Sequence, residues 1–276
     1  MRNRLKLLVS VFVVLFGFQA CDNDDFSNIP DAAKQAFDKK YPNTSVHEWD
    51  FDNGYYVAEF NNGGYEAESW FSTSGAWVMT ETDVPFRDLP SAVQTAFNQS
   101  EYANWQIEDV DRLEREGLET VYVIEVESGE LEYDLYFSES GILVKAVNSG
   151  GNTGAGDYLP SLSDDLKSKV QEMYPNARIV DMDVEGLYIE IDIIHENRAK
   201  DVRFDANGTW LSTSWDVPLS QLPTAVSNAL AASEYASYRI DDIDFYETPD
   251  TSYYSIELEQ GNIDVTVRIL ETGEFL

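Results

Sequence analysis

Cys21 is the only thiol in the chain, and just two histidines, His47 and His195, accompany 51 Asp and Glu residues. Those counts bound the chemistry available. One cysteine excludes a disulfide framework and any multi-thiolate metal site. Two histidines leave little room for His-ligated zinc or a Ser-His-Asp centre. Asp181, Asp183, Glu185 and Asp192 superficially fit positions 1, 3, 5 and 12 of a calcium loop. A duplication with an offset of 133 residues, set out below, argues against that reading. It lays Asp183, Glu185 and Gly186 on Asp50, Asp52 and Asn53, in a strand and hairpin turn, and Asp192 falls in an alternating strand. The run reads as a β-turn with acidic flanks. The same offset puts Val180 under His47, so neither histidine recurs and both read as ordinary strand or surface residues. Fifty-one acids always offer pairs for glycoside hydrolysis, and nothing singles out one pair. The residues point to no catalytic group, no metal and no cofactor.

Aromatic platforms are the remaining chemical option. Trp77 and Trp210 are repeat-equivalent, as are Trp105 and Tyr238, which favours packing. Trp49, Trp70 and Trp215 lack aromatic counterparts and are the better surface candidates.

Composition narrows the partners. The 276 residues carry 18 Lys and Arg against 51 acids, a net charge of −33, yet 43% are hydrophobic and 13% aromatic. That is a folded chain and not a disordered polyanion. Its charge excludes nucleic acid, whose phosphates need clustered Lys and Arg.

The amino terminus reads as an address. Arg2, Arg4 and Lys6 precede an uncharged apolar run from Leu7 to Phe18. Twelve helical residues span about 18 Å, short of the roughly 30 Å bilayer core, so residues 1–20 are expected to be a secretory signal peptide. Ala20-Cys21 at its end resembles a bacterial lipoprotein signal, although Phe18 and Gln19 depart from the usual Leu-(Ala/Ser). The looser signals of Bacteroidetes lipoproteins tolerate such departures. The resemblance implies lipidation of Cys21 and a protein anchored in the outer membrane, in the periplasm or at the cell surface. The alternative is an ordinary cleaved signal with a free cysteine near the cut. Cleavage removes three basic residues and no acid, leaving 15 basic against 51 acidic residues and a net charge of −36. The tether, residues 21–27, begins Cys21-Asp22-Asn23-Asp24-Asp25; it resembles a surface-export signal and reads equally as a solvated spacer.

The rest of the chain is duplicated. At the offset of 133, Tyr41-Pro42-Asn43 meets Tyr174-Pro175-Asn176, and Phe71, Gly75 and Trp77 meet Phe204, Gly208 and Trp210. Asp83-Val84-Pro85 meets Asp216-Val217-Pro218, and Ser100-Glu101-Tyr102-Ala103 meets Ser233-Glu234-Tyr235-Ala236. Each copy divides again. Turns ending in Gly75, Gly141, Gly208 and Gly273 look like one turn used four times, and Pro30, Pro90, Pro160 and Pro223 mark four helix starts. After each proline the apolar spacing is helical, as in Val93, Ala96 and Phe97; then it alternates, as in Leu131, Tyr133, Leu135 and Phe137. Period two with one polar face predicts antiparallel strands buried on one side. Asp52-Asn53-Gly54 and Asn61-Asn62-Gly63-Gly64 predict hairpin turns.

The expected fold class is α+β. Four units, each a helix plus a four-stranded antiparallel meander, pair into two domains at residues 28–148 and 158–276, joined by a Gly-rich linker at 149–157. Two units per domain form one sheet with the helices on one face. The proline-started helix, the meander, the tandem pairing, the lipoprotein signal and the acidic face resemble the PepSY-like family, grouped with the β-lactamase inhibitor protein. That resemblance implies a non-enzymatic envelope protein whose concave sheet binds another protein, in an inhibitor-like manner.

The expected partner is therefore a protein or peptide, with the membrane met only through the lipid anchor. Glu132, Asp134, Tyr136, Tyr188, Glu190, Asp192, Glu257, Glu259 and Asp264 are expected to line the open sheet faces, where acids steer a basic partner. Glycan binding through exposed tryptophans is the competing expectation.

Overall fold

The computed structural model describes residues 29–148 and 163–276. Cys21, its tether and the linker at 149–157 lie outside the described residues, as does Leu159-Pro160. The first half holds α1 (Asp31–Lys40) with β1–β4 (Val46–Asp52, Tyr55–Asn62, Tyr65–Phe71, Trp77–Asp83), then α2 (Ser91–Gln99) with β5–β8 (Gln106–Arg115, Val121–Ser128, Leu131–Ser138, Leu143–Asn148). The second holds α3 (Asp164–Met173) with β9–β12 (Arg178–Glu185, Tyr188–His195, Arg198–Asp205, Trp210–Asp216), then α4 (Thr224–Ala231) with β13–β15 (Arg239–Glu247, Ser252–Gln260, Ile263–Ile269). The strands form an eight-stranded and a seven-stranded sheet, each antiparallel and each in sequence order.

Two details depart from the sequence reading. The third helix starts at Asp164, where the Ser163 hydroxyl accepts from Leu166 N–H. Residue 163 is the repeat position of Pro30, so a side-chain cap replaces a proline there. Pro30, Pro90 and Pro223 themselves stand one residue before their helices, with φ of −58°, −52° and −57°. The fourth unit has three strands and one further bridge, Ile269 to Phe275, in place of a fourth strand.

Register explains the cores. Phe60, Ala67, Thr82, Arg112, Tyr122 and Phe137 are successive cross-strand partners and share one sheet face. On that face Ala33 and Phe37 of α1 bury against Ala58, Phe60 and Phe71. Val93 and Phe97 of α2 bury against Val110, Ile124 and Leu135. The second half repeats this with Leu166 and Val170 against Ile191, Ile193 and Phe204, and Val226 and Leu230 against Ile243, Ile256 and Val267. The recurring turn glycine fits here: Gly75 has φ +83°, and a Cβ on it would lie 2.6 Å from Ala32 Cβ in the first turn of α1.

The repeat also preserves a hydrogen-bond network. Tyr41 Oη and Trp77 Nε1 donate to Thr80 Oγ1 at 2.7 and 2.9 Å. Tyr174 Oη and Trp210 Nε1 do the same to Thr213 Oγ1 at 2.7 and 3.0 Å.

A fifth cluster joins the halves. Val57, Trp70, Met79, Leu113, Val121, Val123, Tyr136 and Val144, all from the first sheet, pack with Val180 and Ile194 of the second. Trp70 is 3% exposed there, which corrects its place among the surface candidates. Trp49 leans on Phe37 and Phe71, and Trp215 on Phe245 beneath Lys200, so these three tryptophans form no common exposed platform.

Candidate functional site

The face away from the helices is built from carboxylates. Glu48, Glu59, Glu68 and Glu81 are consecutive cross-strand partners on β1–β4. Asp181, Asp192 and Asp201 stand abreast in the same way on β9–β11. Asp83 opposes Asp111 and Asp216 opposes Asp244, while Asp109 opposes Glu125 and Asp242 opposes Glu257. Apart from Glu81, whose repeat position is Ser214, the two sets match across the repeat, at an offset of 133 that becomes 132 in β14 and β15.

Like charges directly opposite one another destabilise a sheet, and partial burial adds to the cost. The face answers by holding protons. Burial, reinforced by Glu68, Asp109 and Asp83, pushes Glu81 up to about 7. Burial with Glu81, Asp109 and Asp83 pushes Asp111 up to about 9. In the second sheet, burial with Asp192 and Glu190 takes Asp201 to about 8, and burial with Asp242 and Asp216 takes Asp244 to about 7.

Where the halves meet, basic side chains answer the acids. Arg115 Nη1 lies 2.6 Å from Asp181 Oδ1, and its Nη2 donates to Val180 O at 2.7 Å. Lys145 Nζ lies 2.6 Å from Asp181, 2.6 Å from Asp183 and 3.3 Å from Asp192. Burial opposes the charge on Asp181, but Arg115 and Lys145 outweigh it and hold its pKa below the usual carboxylate value. Asp192, deeper and facing Asp181 and Glu190 as well as Lys145, is pushed by burial to about 7. Arg178 pairs with Glu119, and Glu119 N–H donates to Ile179 O at 2.8 Å.

Among the described residues, three clusters of carboxylates have oxygens within 4.8 Å of one another: Asp181/Asp183/Asp192, Glu190/Asp192/Asp201 and Asp216/Asp242/Asp244. Lys145 contacts all three members of the first, and Arg203 pairs with Glu190 in the second. The acids that resembled a calcium loop lie on a hairpin: Asp181 and Asp183 are in β9, Asp192 is in β10 opposite Asp181, and Gly186 turns between them at φ +63°. His47 is exposed on β1, and His195 packs on the Tyr174 ring at 5.4 Å.

The nine expected binding-face residues all point away from the helices by register, but they do not share one environment. Asp134, Tyr136 and Asp192 are 1%, 5% and 2% exposed, so they do not line an open surface. The reason for Tyr136 and Asp192 is the packing of the second half on the first: Lys145 reaches both. Glu190 is paired with Arg203 and Glu259 with Arg239. Tyr188, Glu257 and Asp264 are exposed, and Glu132 is half-buried opposite Glu127.

Sequence reasoning passed over Arg115 and Lys145, and it passed over Glu48, Asp50 and Glu59. The last three were detectable, since the offset of 133 lays them on Asp181, Asp183 and Asp192. The two halves also differ where they correspond. Val57 and Trp70, cross-strand partners under the interface, become Glu190 and Arg203; Leu113 and Val121 become the stacked Tyr246 and Tyr253, 5.3 Å apart. One copy of the face is a covered apolar patch with an acidic border, and the other is polar and open.

Fold and site together define a duplicated α+β protein with two carboxylate-bordered sheet faces. The family described as "Putative beta-lactamase-inhibitor-like, PepSY-like" matches residues 54–145 and 189–276, one segment in each half, and the chain belongs to that family. Similar solved structures include a BLIP-like protein from Bacteroides fragilis, 38% identical, covering 48% of this chain and 96% of its own, with a TM-score of 0.44. A protein from Bacteroides ovatus is 34% identical over 44% of this chain and 89% of its own, with a TM-score of 0.42. One from Bacteroides eggerthii, described as periplasmic, is 28% identical over 47% and 98%, with a TM-score of 0.43. No curated protein matches the chain. Among the described residues no helix is long and apolar enough to cross a membrane.

Proposed function

We propose that this chain is a non-enzymatic cell-envelope lipoprotein, anchored through Cys21, that binds a basic protein or peptide on the carboxylate face of its first sheet. One observation carries the reading. Asp181, Asp183 and Asp192 on the β9–β10 hairpin receive two cationic side chains, Arg115 and Lys145. Their repeat counterparts Glu48, Asp50 and Glu59 occupy the same register on β1–β2 and stand exposed to solvent. The chain thus contains a worked example of what this hairpin face recognises: one guanidinium and one ammonium, presented from a neighbouring strand surface. An external partner with two such groups fits the exposed copy, and its occupation of that face is inhibitor-like in form.

The second half carries no matching basic pair, since Thr248 stands at the repeat position of Arg115. This favours a different protein over a second copy of the chain. A photo-crosslinking side chain at Glu59, compared with one at Asn228 on α4, tests the reading in cell-envelope extracts. Capture of a discrete adduct from position 59 and none from position 228 supports it. Equal labelling from both positions, or none from 59, refutes it.

A further inference from the structure

Corresponding places in the second and fourth units are filled differently. In the second unit five rings pack between α2 and the sheet. Phe86 and Phe97 lie 5.2 Å apart, edge to face, and Trp105 stands edge-on to Tyr102 and Tyr133 at 5.3 and 5.7 Å. At the offset of 133 the fourth unit has Leu219, Leu230 and Tyr238, and Val265 takes the register position of Tyr133.

Four ring positions have therefore become smaller, and three of them, now Leu219, Leu230 and Tyr238, border a gap that the surrounding elements have not closed. A pocket of about 200 Å³ remains, lined by Leu219, Leu222, Leu230, Tyr235, Tyr238 and Ile240 among others, with no charged residue in its wall. Leu219 stands at its mouth, 61% exposed. In a chain of net charge −33, an uncharged concavity of this kind is set apart from the carboxylate faces, which lie on the other side of the sheet.

From this pocket we infer a binding site for a small, uncharged, planar aromatic molecule. The second unit shows the chemistry that satisfies the same walls, because its own phenyl and indole rings fill them. An apolar cavity of about 150 Å³ stays dry and accepts benzene, so a site of this size suits one or two fused rings. Such a ligand restores dispersion contacts that the smaller side chains have given up.

Indole is the probe. Titrated into the full-length protein, it is expected to shift the methyl resonances of Leu219, Leu222, Leu230 and Leu258 saturably, and to leave those of Leu89 and Leu135 in the second unit unmoved. Leu230→Phe installs the ring that the second unit holds at that position. It should weaken indole binding at least tenfold and leave the melting temperature at or above that of wild type. Leu219→Phe, at the exposed mouth, asks the same question without altering the buried wall. Absence of a saturable shift in wild type overturns the inference, and so does indole binding that persists undiminished in both filled variants.

Discussion

Lys145 Nζ lies 2.6 Å from Asp181 Oδ2, so a lysine from the last strand of the first sheet is gripped by the first strand of the second. The side chain is only 18% exposed, and Asp183 and Asp192 crowd the same ammonium. Burial works against its charge, yet Asp181 and Asp192 raise its pKa. Lys145 is thus the electrostatic centre of the contact between the halves, beside the apolar cluster of Trp70, Val180 and Ile194.

Lys145→Met should cost about 3 kcal/mol, the scale for removing one partner of a buried ion pair and leaving the other charged. Adding Asp192→Asn should recover part of the loss, because the remaining carboxylates then repel less. Urea denaturation of the two single variants and the double variant measures the coupling. Additive losses would show that the two residues act independently.

Stability should depend on pH with a definite sign. Glu81, Asp192 and Asp244 are pushed to about 7, Asp201 to about 8 and Asp111 to about 9, each chiefly by burial. In the unfolded chain such groups titrate near 4. The folded state holds protons that the unfolded state releases, so this contribution is fully present below about pH 4 and is lost progressively as pH rises from there through the folded values of about 7 to 9. The melting temperature is expected to fall as pH rises from about 5, most steeply up to about 7, and to level off above about 9. Asp111→Asn should flatten the upper part of that curve, whereas a melting temperature that rises with pH would contradict the assignment. Asp181, whose pKa is lowered, acts in the opposite sense and withdraws stability only below about pH 4.

A fragment of residues 158–276 retains the clusters under α3 and α4 and should melt cooperatively. It exposes Val180 and Ile194, which the intact protein buries at 0% and 2%. Ile194→Asn should therefore be nearly neutral in the fragment and destabilise the full chain by about 2–4 kcal/mol, as expected for placing an unsatisfied polar group in a core. Equal losses in both would mean that Ile194 supports its own sheet and not the contact.

Cys21→Ser should release the protein from the membrane fraction. Persistence of the variant with membranes would show that the anchor is not the thiol.

Much of this architecture could be read from residue order, because its main devices are local. The alternation of Ile189, Ile191 and Ile193 with Tyr188, Glu190 and Asp192 separates the helix-side face from the opposite one, and the register agrees, although the first half covers Asp192 on that opposite face. Ile194 breaks that alternation, and its reason is not local: it belongs to the face that meets the other half. Trp70 misled for the same reason, since an unmatched tryptophan on an outward face looks like a surface platform until a second sheet covers it. Lys145 carried no signal at all. A single lysine in a short strand gains its meaning only from three aspartates 36 to 47 residues away in sequence, brought there by the packing of the halves. The row of acids, by contrast, was already present in the offset comparison.

The covered and uncovered faces also set different rules for change. Val57, Trp70, Met79 and Leu113 must keep fitting Val180 and Ile194, so drift at any of them disturbs a shared interior. Glu190, Arg203, Ser212 and Tyr246 hold the corresponding places with no opposite surface to satisfy among the described residues. Duplication has left one copy of these places inside a shared interior and the other held only by contacts within its own sheet, such as Glu190 with Arg203 and Tyr246 on Tyr253. Side chains at those places on the second sheet can change without disturbing the interior that Val180 and Ile194 share with the first.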